Sequence, residues 1–186
     1  MGADAGVGLD QPPGHARGER QVAGRDRFDR GEQPVGGKAL EEEVTKLSQS
    51  AAASQLRAAG VTWTSSGNCT TRSNSSCTSF DQINQDTVTG LKTLKSASGC
   101  AITVTGGTEV GHASGTYSHY NGYKADINPN SCISSYITRN FTHIATRSDG
   151  AARYRSSAGN VYARESNHWD IVYCGGNATC TAAASR

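Results

Sequence analysis

Six cysteines constrain the fold of this chain more than any other feature of its sequence. The chain has 186 residues, and all six cysteines lie in its last two thirds, among many serine, threonine and glycine residues. They do not form the two Cys-x-x-Cys pairs of a zinc ribbon, and an even number of scattered cysteines is typical of an oxidising compartment. Their positions are Cys69, Cys77, Cys100, Cys132, Cys174 and Cys180. We therefore predict a disulfide-braced domain rather than six reduced thiols.

The pairing of these cysteines is open from the sequence, because six cysteines allow many connectivities. Two pairs are close along the chain, and we expect Cys69–Cys77 and Cys174–Cys180 to form local bridges. The pair that remains is Cys100–Cys132.

Charge and hydropathy exclude several kinds of partner. The formal net charge is +2, and the basic residues are scattered, so we predict no nucleic-acid partner. No run of about 18 apolar residues occurs, and we therefore predict no transmembrane segment. The cysteines indicate a secreted or cell-wall-associated protein, although no signal peptide is visible near the start of the chain. We expect it to act as a monomer.

The composition divides the chain into three parts. Residues 1–37 are polar and rich in glycine and arginine, and we expect them to be disordered or non-native. Residues 38–60 have the pattern of a helix that ends at Gly60, and this helix is a linker, a docking element or the first piece of the domain. Residues 61–186 form the predicted domain. The apolar residues at helical spacing in the second part are Leu40, Val44, Leu47, Ala51 and Leu56.

The order of elements in the domain predicts an α+β fold. A second helix is expected between a Ser79 cap and a Gly99 stop. A short helix is expected at 131–139, and strands are expected at 100–105, 141–147, 152–156 and 160–173. A leading helix followed by a set of strands argues for a small antiparallel sheet with flanking helices rather than a doubly wound sheet.

Two histidine-containing segments carry the candidate chemistry, and the first runs from His119 to Asp126. Asn121-Gly122 is a strong signal for a two-residue hairpin turn. In that hairpin His119 would face Lys124, and Asp126 would lie on the same face at a diagonal distance of about 7–8 Å. An imidazole and a carboxylate at this separation can close around one metal ion.

The second segment contains Glu165 and His168. In a plain strand the two side chains would point to opposite faces, whereas a bulge or turn at 166–167 would bring both into one site. His168 would then complete a set of two histidines and one aspartate and leave a fourth position for water, as in catalytic zinc sites. Glu165 would supply the base that such a site needs.

The motifs H-x-x-G-x-x-x-D at 119–126 and E-x-x-H at 165–168 resemble those of the zinc-dependent D-alanyl-D-alanine peptidases and the Hedgehog-type domains that share their fold. The resemblance covers residues 62–173. It implies a fold of the Hedgehog and D-alanyl-D-alanine peptidase type, with Zn²⁺ bound by His119, Asp126 and His168 and with Glu165 as the general base. The implied activity is hydrolysis of peptide bonds in the stem peptides or cross-links of bacterial peptidoglycan.

Several points stay open beside this resemblance. His112 lies in a glycine-rich loop, where it assists at the transition state, replaces a ligand or is simply exposed to solvent. The family often holds the carboxylate of its substrate with an arginine that is missing around 105–109, so the choice between carboxypeptidase and endopeptidase is open. The alternative function is a non-catalytic extracellular binding module that keeps the zinc fold. Glu165 favours the enzyme, because a binding module needs no base.

Overall fold

A computed structural model describes residues 43–186, and the predictions for 1–37 and for the start of 38–60 lie outside the described residues. The described chain is α+β and contains four helices, none of which is long and apolar enough to cross a membrane. The helices are α1 (Gln49–Ala58), α2 (Gln85–Ser98), α3 (Ser131–Asn140) and α4 (Ala178–Ala184). The strands are β1 (Lys46–Leu47), β2 (Thr62–Trp63), β3 (Ile83–Asn84), β4 (Thr103–Gly106), β5 (Lys124–Ile127), β6 (Thr142–Ile144), β7 (Ala152–Arg155), β8 (Val161–Arg164) and β9 (Trp169–Val172).

Seven of these strands form the main sheet, in the order β2-β4-β5-β9-β8-β7-β6. Every neighbouring pair is antiparallel except β2 and β4, which are parallel. The expectation of a purely antiparallel sheet is therefore wrong at this edge. Strands β1 and β3 form a separate antiparallel pair.

Helix α1 begins later than the sequence pattern predicts. The Ser48 side chain accepts a hydrogen bond from the Ala51 N–H and caps the helix, while Leu47 lies in β1 opposite Ile83. Gly60 has a φ of 76° and follows the end of the helix, as predicted. The buried residues of α1 pack into the same apolar core as α2, and they are Ala52, Ala53 and Leu56.

Helix α2 also begins later, because Ser79 does not cap it. Gln82 has a φ of 64°, and this left-handed conformation interrupts any helix that starts at Ser79. The Ser79 N–H instead donates a hydrogen bond to Glu109. The predicted stop is confirmed, since Gly99 adopts the left-handed conformation with a φ of 65°. The apolar face of α2 is buried at Val88, Leu91 and Leu94.

The structure confirms the predicted disulfide pairing. Cys69 is bonded to Cys77, Cys100 to Cys132, and Cys174 to Cys180, and none of the cysteines is free. The Cys100–Cys132 bridge ties the segment before β4 to helix α3, whereas the other two close short loops. Three disulfides favour an oxidising compartment such as the cell exterior.

The bridges should differ in how strongly they stabilise the fold. Cys100–Cys132 joins residues 32 apart, and Cys174–Cys180 joins residues 6 apart. Because a longer closed loop restricts the unfolded chain more, replacing both cysteines of the first pair by alanine should cost about 3–4 kcal/mol of unfolding free energy. The same change in the second pair should cost about 2 kcal/mol. Denaturant unfolding checks the order, and equal costs would contradict the loop-closure explanation.

Candidate metal centre

The centre of the site is a pair of aspartates on adjacent strands. Asp126 of β5 lies directly opposite Asp170 of β9, and both are buried. The His119 Nε2 atom is 3.3 Å from Asp126 Oδ1 and 3.6 Å from Asp170 Oδ1. Two carboxylates in direct opposition repel each other, so this part of the sheet requires positive charge between or beside them.

His119 reaches this position through a turn rather than through the predicted hairpin. The Gly122 N–H donates to the His119 carbonyl at 2.8 Å, while β5 pairs with β4 and β9. The hairpin prediction is wrong because the turn packs against another segment: a Cβ on Gly122 would lie 2.5 Å from the Gln82 carbonyl oxygen. The His119 Nδ1–H donates to the Gly107 carbonyl at 2.8 Å. Nε2 is therefore left free to face the carboxylates.

Glu165 and His168 meet at the loop between β8 and β9. The Glu165 N–H donates to the His168 carbonyl at 2.9 Å, so that Ser166 and Asn167 form a tight turn between them. Of the two predicted alternatives, the structure has the turn. His168 Nε2 lies 3.3 Å from Glu165 Oε2 and 3.7 Å from Asp126 Oδ1. The structure thus brings His119, Asp126, His168 and Glu165 together.

Two of the spacings between these atoms are close to those around a metal ion, whereas His119, Asp126 and His168 do not form a group whose ligand atoms all lie within 4.8 Å of one another. Zinc bonds of about 2.0–2.1 Å in a tetrahedron place neighbouring ligand atoms about 3.3–3.5 Å apart. The distances from Asp126 Oδ1 to the Nε2 atoms of His119 and His168 are 3.3 and 3.7 Å. Asp126 Oδ1 is also buried without a hydrogen-bond partner among residues 43–186. A buried carboxylate oxygen without a donor is costly, and a cation at this point would remove that cost.

His112, and not His168, forms with His119 and Asp126 the group of described residues whose ligand atoms all lie near one another. One ligand atom each from His112, His119 and Asp126 lies within 4.8 Å of the others, so these three residues could hold a metal ion. The His112 ring stacks on the His119 ring with centroids 3.8 Å apart. Its Nε2 lies 2.8 Å from Glu109 Oε1, and its side chain is 26% exposed. His112 is therefore a partly buried member of the site.

Glu109 is the residue that the sequence analysis missed. This buried carboxylate accepts hydrogen bonds from the backbone N–H groups of Ser79 and Gly107 and from His112. Burial opposes ionisation, but these donors outweigh it and lower the pKa of Glu109. The spacing E-x-x-H at 109–112 was a signal, since it repeats that of 165–168.

Asp170 is held by two basic side chains. Its Oδ2 accepts hydrogen bonds from Lys124 at 2.7 Å and from Arg147 at 2.9 Å. Burial opposes its ionisation, but His119 and Lys124 outweigh burial and keep the pKa of Asp170 well below its usual range. Arg147 also binds Glu165 Oε1, so a single guanidinium links the proposed base to the buried aspartate.

The field of the two aspartates acts most strongly on His119. Burial disfavours a charged imidazole, yet the hydrogen bonds and charges of Asp126 and Asp170 outweigh burial and raise the pKa of His119 to about 9. The site therefore attracts positive charge to His119 Nε2. A metal cation bound there would take the place of that proton.

The site opens into a cleft of about 610 Å³, and Glu109 lies behind His112 rather than among the residues that line it. Four carboxylates and the basic side chains of Lys124 and Arg147 lie among the described residues that line it, together with His119, whose raised pKa gives it a positive charge when no metal is bound. Strand β4 can lie close to Asp126 because Gly106 has no side chain: a Cβ there would lie 2.6 Å from Asp126 Oδ2. The charged groups of the cleft are Lys124, Asp126, Arg147, Asp149, Glu165 and Asp170.

Comparison with protein-family models, with curated proteins and with solved structures finds no match for this chain. The function must therefore be inferred from the geometry of the cleft and from the motifs at 119–126 and 165–168. In this cleft, His119 and His168 flank Asp126, which lies on an interior strand of the sheet.

Proposed function

We propose that this protein is a zinc metallopeptidase that hydrolyses peptide bonds in the stem peptides or cross-links of bacterial peptidoglycan. In this proposal His119, Asp126 and His168 bind Zn²⁺, and Glu165 is the general base. One observation carries it: Asp126 Oδ1 lies 3.3 Å from His119 Nε2 and 3.7 Å from His168 Nε2, with Glu165 beside His168. This combination supports a metal site with a base next to one ligand.

The donor set suits zinc. Two imidazole nitrogens and one carboxylate oxygen are ligands that zinc accepts in catalytic sites, where a fourth position is left for water or substrate. When bound there, zinc would lower the pKa of a water molecule and polarise the scissile carbonyl. The side chains of both histidines have their second nitrogen engaged, His119 by Gly107 and His168 by Asn167. Such partners orient the ring nitrogen that faces the metal.

Glu165 has the position and the freedom that a base requires. Its side chain is 31% exposed in the cleft, and Arg147 binds Oε1 while Oε2 faces His168. Oε2 would accept a proton from the attacking water and later deliver it to the nitrogen of the leaving amine. Arg147 would keep the carboxylate in this orientation throughout.

The substrate class is supported by two features besides the motifs. The cleft has a volume of about 610 Å³, which is large enough for several residues of an extended peptide. The three disulfides suit a protein that works outside the cell, where peptidoglycan is found. The proposal leaves the exact bond to experiment.

The test is hydrolysis of defined peptidoglycan fragments by the purified full chain. We expect the zinc-loaded protein to cleave stem peptides or cross-linked dimers, chelation to reduce cleavage to background, and added zinc to restore it. Mass spectrometry of the products identifies the bond and separates carboxypeptidase from endopeptidase action. If fully zinc-loaded protein leaves the whole panel intact, the chain is better explained as a binding module.

A further inference from the structure

We propose that His112 is a fourth, displaceable ligand that closes the metal site in the resting protein. This inference rests on the proposed function, because it concerns the same metal ion. It adds a residue outside the motifs at 119–126 and 165–168, and it gives the site a way to regulate access of water and substrate.

The first argument is the placement of the two stacked rings. The imidazoles of His112 and His119 are 3.8 Å apart and nearly parallel, with an interplanar angle of 16°. Each ring presents one nitrogen to a different oxygen of Asp126. His119 Nε2 is 3.3 Å from Oδ1, and His112 Nδ1 is 3.8 Å from Oδ2. One nitrogen of each ring and an oxygen of Asp126 lie within 4.8 Å of one another, so a tilt of the rings towards each other would let both bind an ion at this carboxylate.

The second argument is the orientation of His112 by Glu109. The Glu109 carboxylate accepts hydrogen bonds from the backbone N–H groups of Ser79 and Gly107. It also accepts a hydrogen bond from His112 Nε2 at 2.8 Å. His112 therefore donates through Nε2, and Nδ1 is the ring nitrogen that faces Asp126. A carboxylate that binds the far nitrogen of a histidine is the usual support of a metal-bound imidazole.

The third argument explains why His112, and not another ligand, would be displaced. Asp126 lies within β5, and the His119 side chain is only 6% exposed. His168 is also in a loop and 24% exposed, but its carbonyl accepts a hydrogen bond from the Glu165 N–H. His112 lies in a loop between Gly111 and Gly115, and its side chain is 26% exposed. Both glycines have positive φ values, of 106° and 155°. Four protein ligands would close the site, and release of His112 would open it.

The experiment measures metal binding without reference to activity. Zinc affinity is determined by competition with a chelator, and Co²⁺ is used as a spectroscopic probe of the ligand set. We expect His112→Ala to weaken zinc binding at least about 10-fold and to change the visible spectrum of the Co²⁺ protein. Glu109→Gln should weaken binding about 10–100-fold because it misorients the ring. His143→Ala, which removes an exposed histidine of β6, is the matched control and should change neither quantity.

The outcomes separate this inference from the proposed function. An unchanged zinc affinity and Co²⁺ spectrum in His112→Ala would overturn the role of His112. Loss of zinc in His168→Ala would still support the proposal that His119, Asp126 and His168 bind the metal. Failure of the parent protein to bind zinc would remove both proposals. His112→Asn serves as a second variant if alanine lowers the thermal stability.

Discussion

Replacement of Glu165 by glutamine is expected to reduce the rate of peptide hydrolysis by about 10²–10⁴-fold, which is the usual contribution of general acid–base catalysis. Glutamine keeps the size of the side chain, but it cannot accept a proton from the attacking water. The variant should retain its zinc and its thermal transition, because Glu165 is half-exposed and is not one of the proposed ligands. The measurements are kcat/KM on a stem peptide, zinc content and thermal unfolding.

Asp149→Asn is the matched control for this variant. Asp149 is a second carboxylate that pairs with Arg147 in the same cleft, at 2.6 Å, but it faces neither His168 nor Asp126. Its replacement should preserve most of the activity, so that loss of an Arg147 ion pair is separated from loss of the base. Full activity in Glu165→Gln would exclude Glu165 as the base and direct attention to another group.

Replacement of His168 by alanine is expected to abolish both zinc binding and hydrolysis. His168 Nε2 is 3.7 Å from Asp126 Oδ1. Removal of the His168 side chain would take away one of the two imidazole nitrogens that are proposed to bind the metal. Elemental analysis of a chelator-free preparation should find about one zinc per chain in the parent, as a single tetrahedral site requires, and almost none in the variant. The side chain is 24% exposed, so the fold should survive the change.

The control for His168→Ala is His143→Ala, which should keep its zinc because His143 lies on β6 and packs against Tyr154, and it is not among the residues that line the cleft. The comparison with Glu165→Gln is decisive for the mechanism. One variant should lose activity and keep its metal, and the other should lose both. If His168→Ala retained full zinc content, the set of His112, His119 and Asp126 would be the better description of the metal site.

Local sequence signals predicted those parts of the fold that depend on neighbours along the chain. The Gly99 stop, the helix at Ser131–Asn140 and the short bridges Cys69–Cys77 and Cys174–Cys180 all involve residues that are close in sequence. Their conformations follow from backbone preferences, capping and loop closure, which act over a few residues. The starts of α1 and α2 were predicted too early, because contacts with distant segments override a weak local pattern.

The two motifs also predicted that His119 lies near Asp126 and that Glu165 lies near His168, since each pair is separated by few residues. Only the register of β5 and β9, which sets Asp126 opposite Asp170, brings the two pairs into one cleft. The role of Glu109 is equally non-local, because its donors come from a segment 30 residues earlier as well as from its own loop.

The sequence by itself thus predicted the α+β class and the two short disulfides, and it indicated candidate residues for the site. The tertiary structure decided how those residues meet: which aspartate faces which, how Arg147 links Glu165 to Asp170, and how His112 stacks on His119. The physical reason is that strand register and side-chain packing are set by contacts summed over the whole core. A shift of one residue in β9 would turn His168 and Asp170 to the opposite face of the sheet, although no local preference in either segment would change.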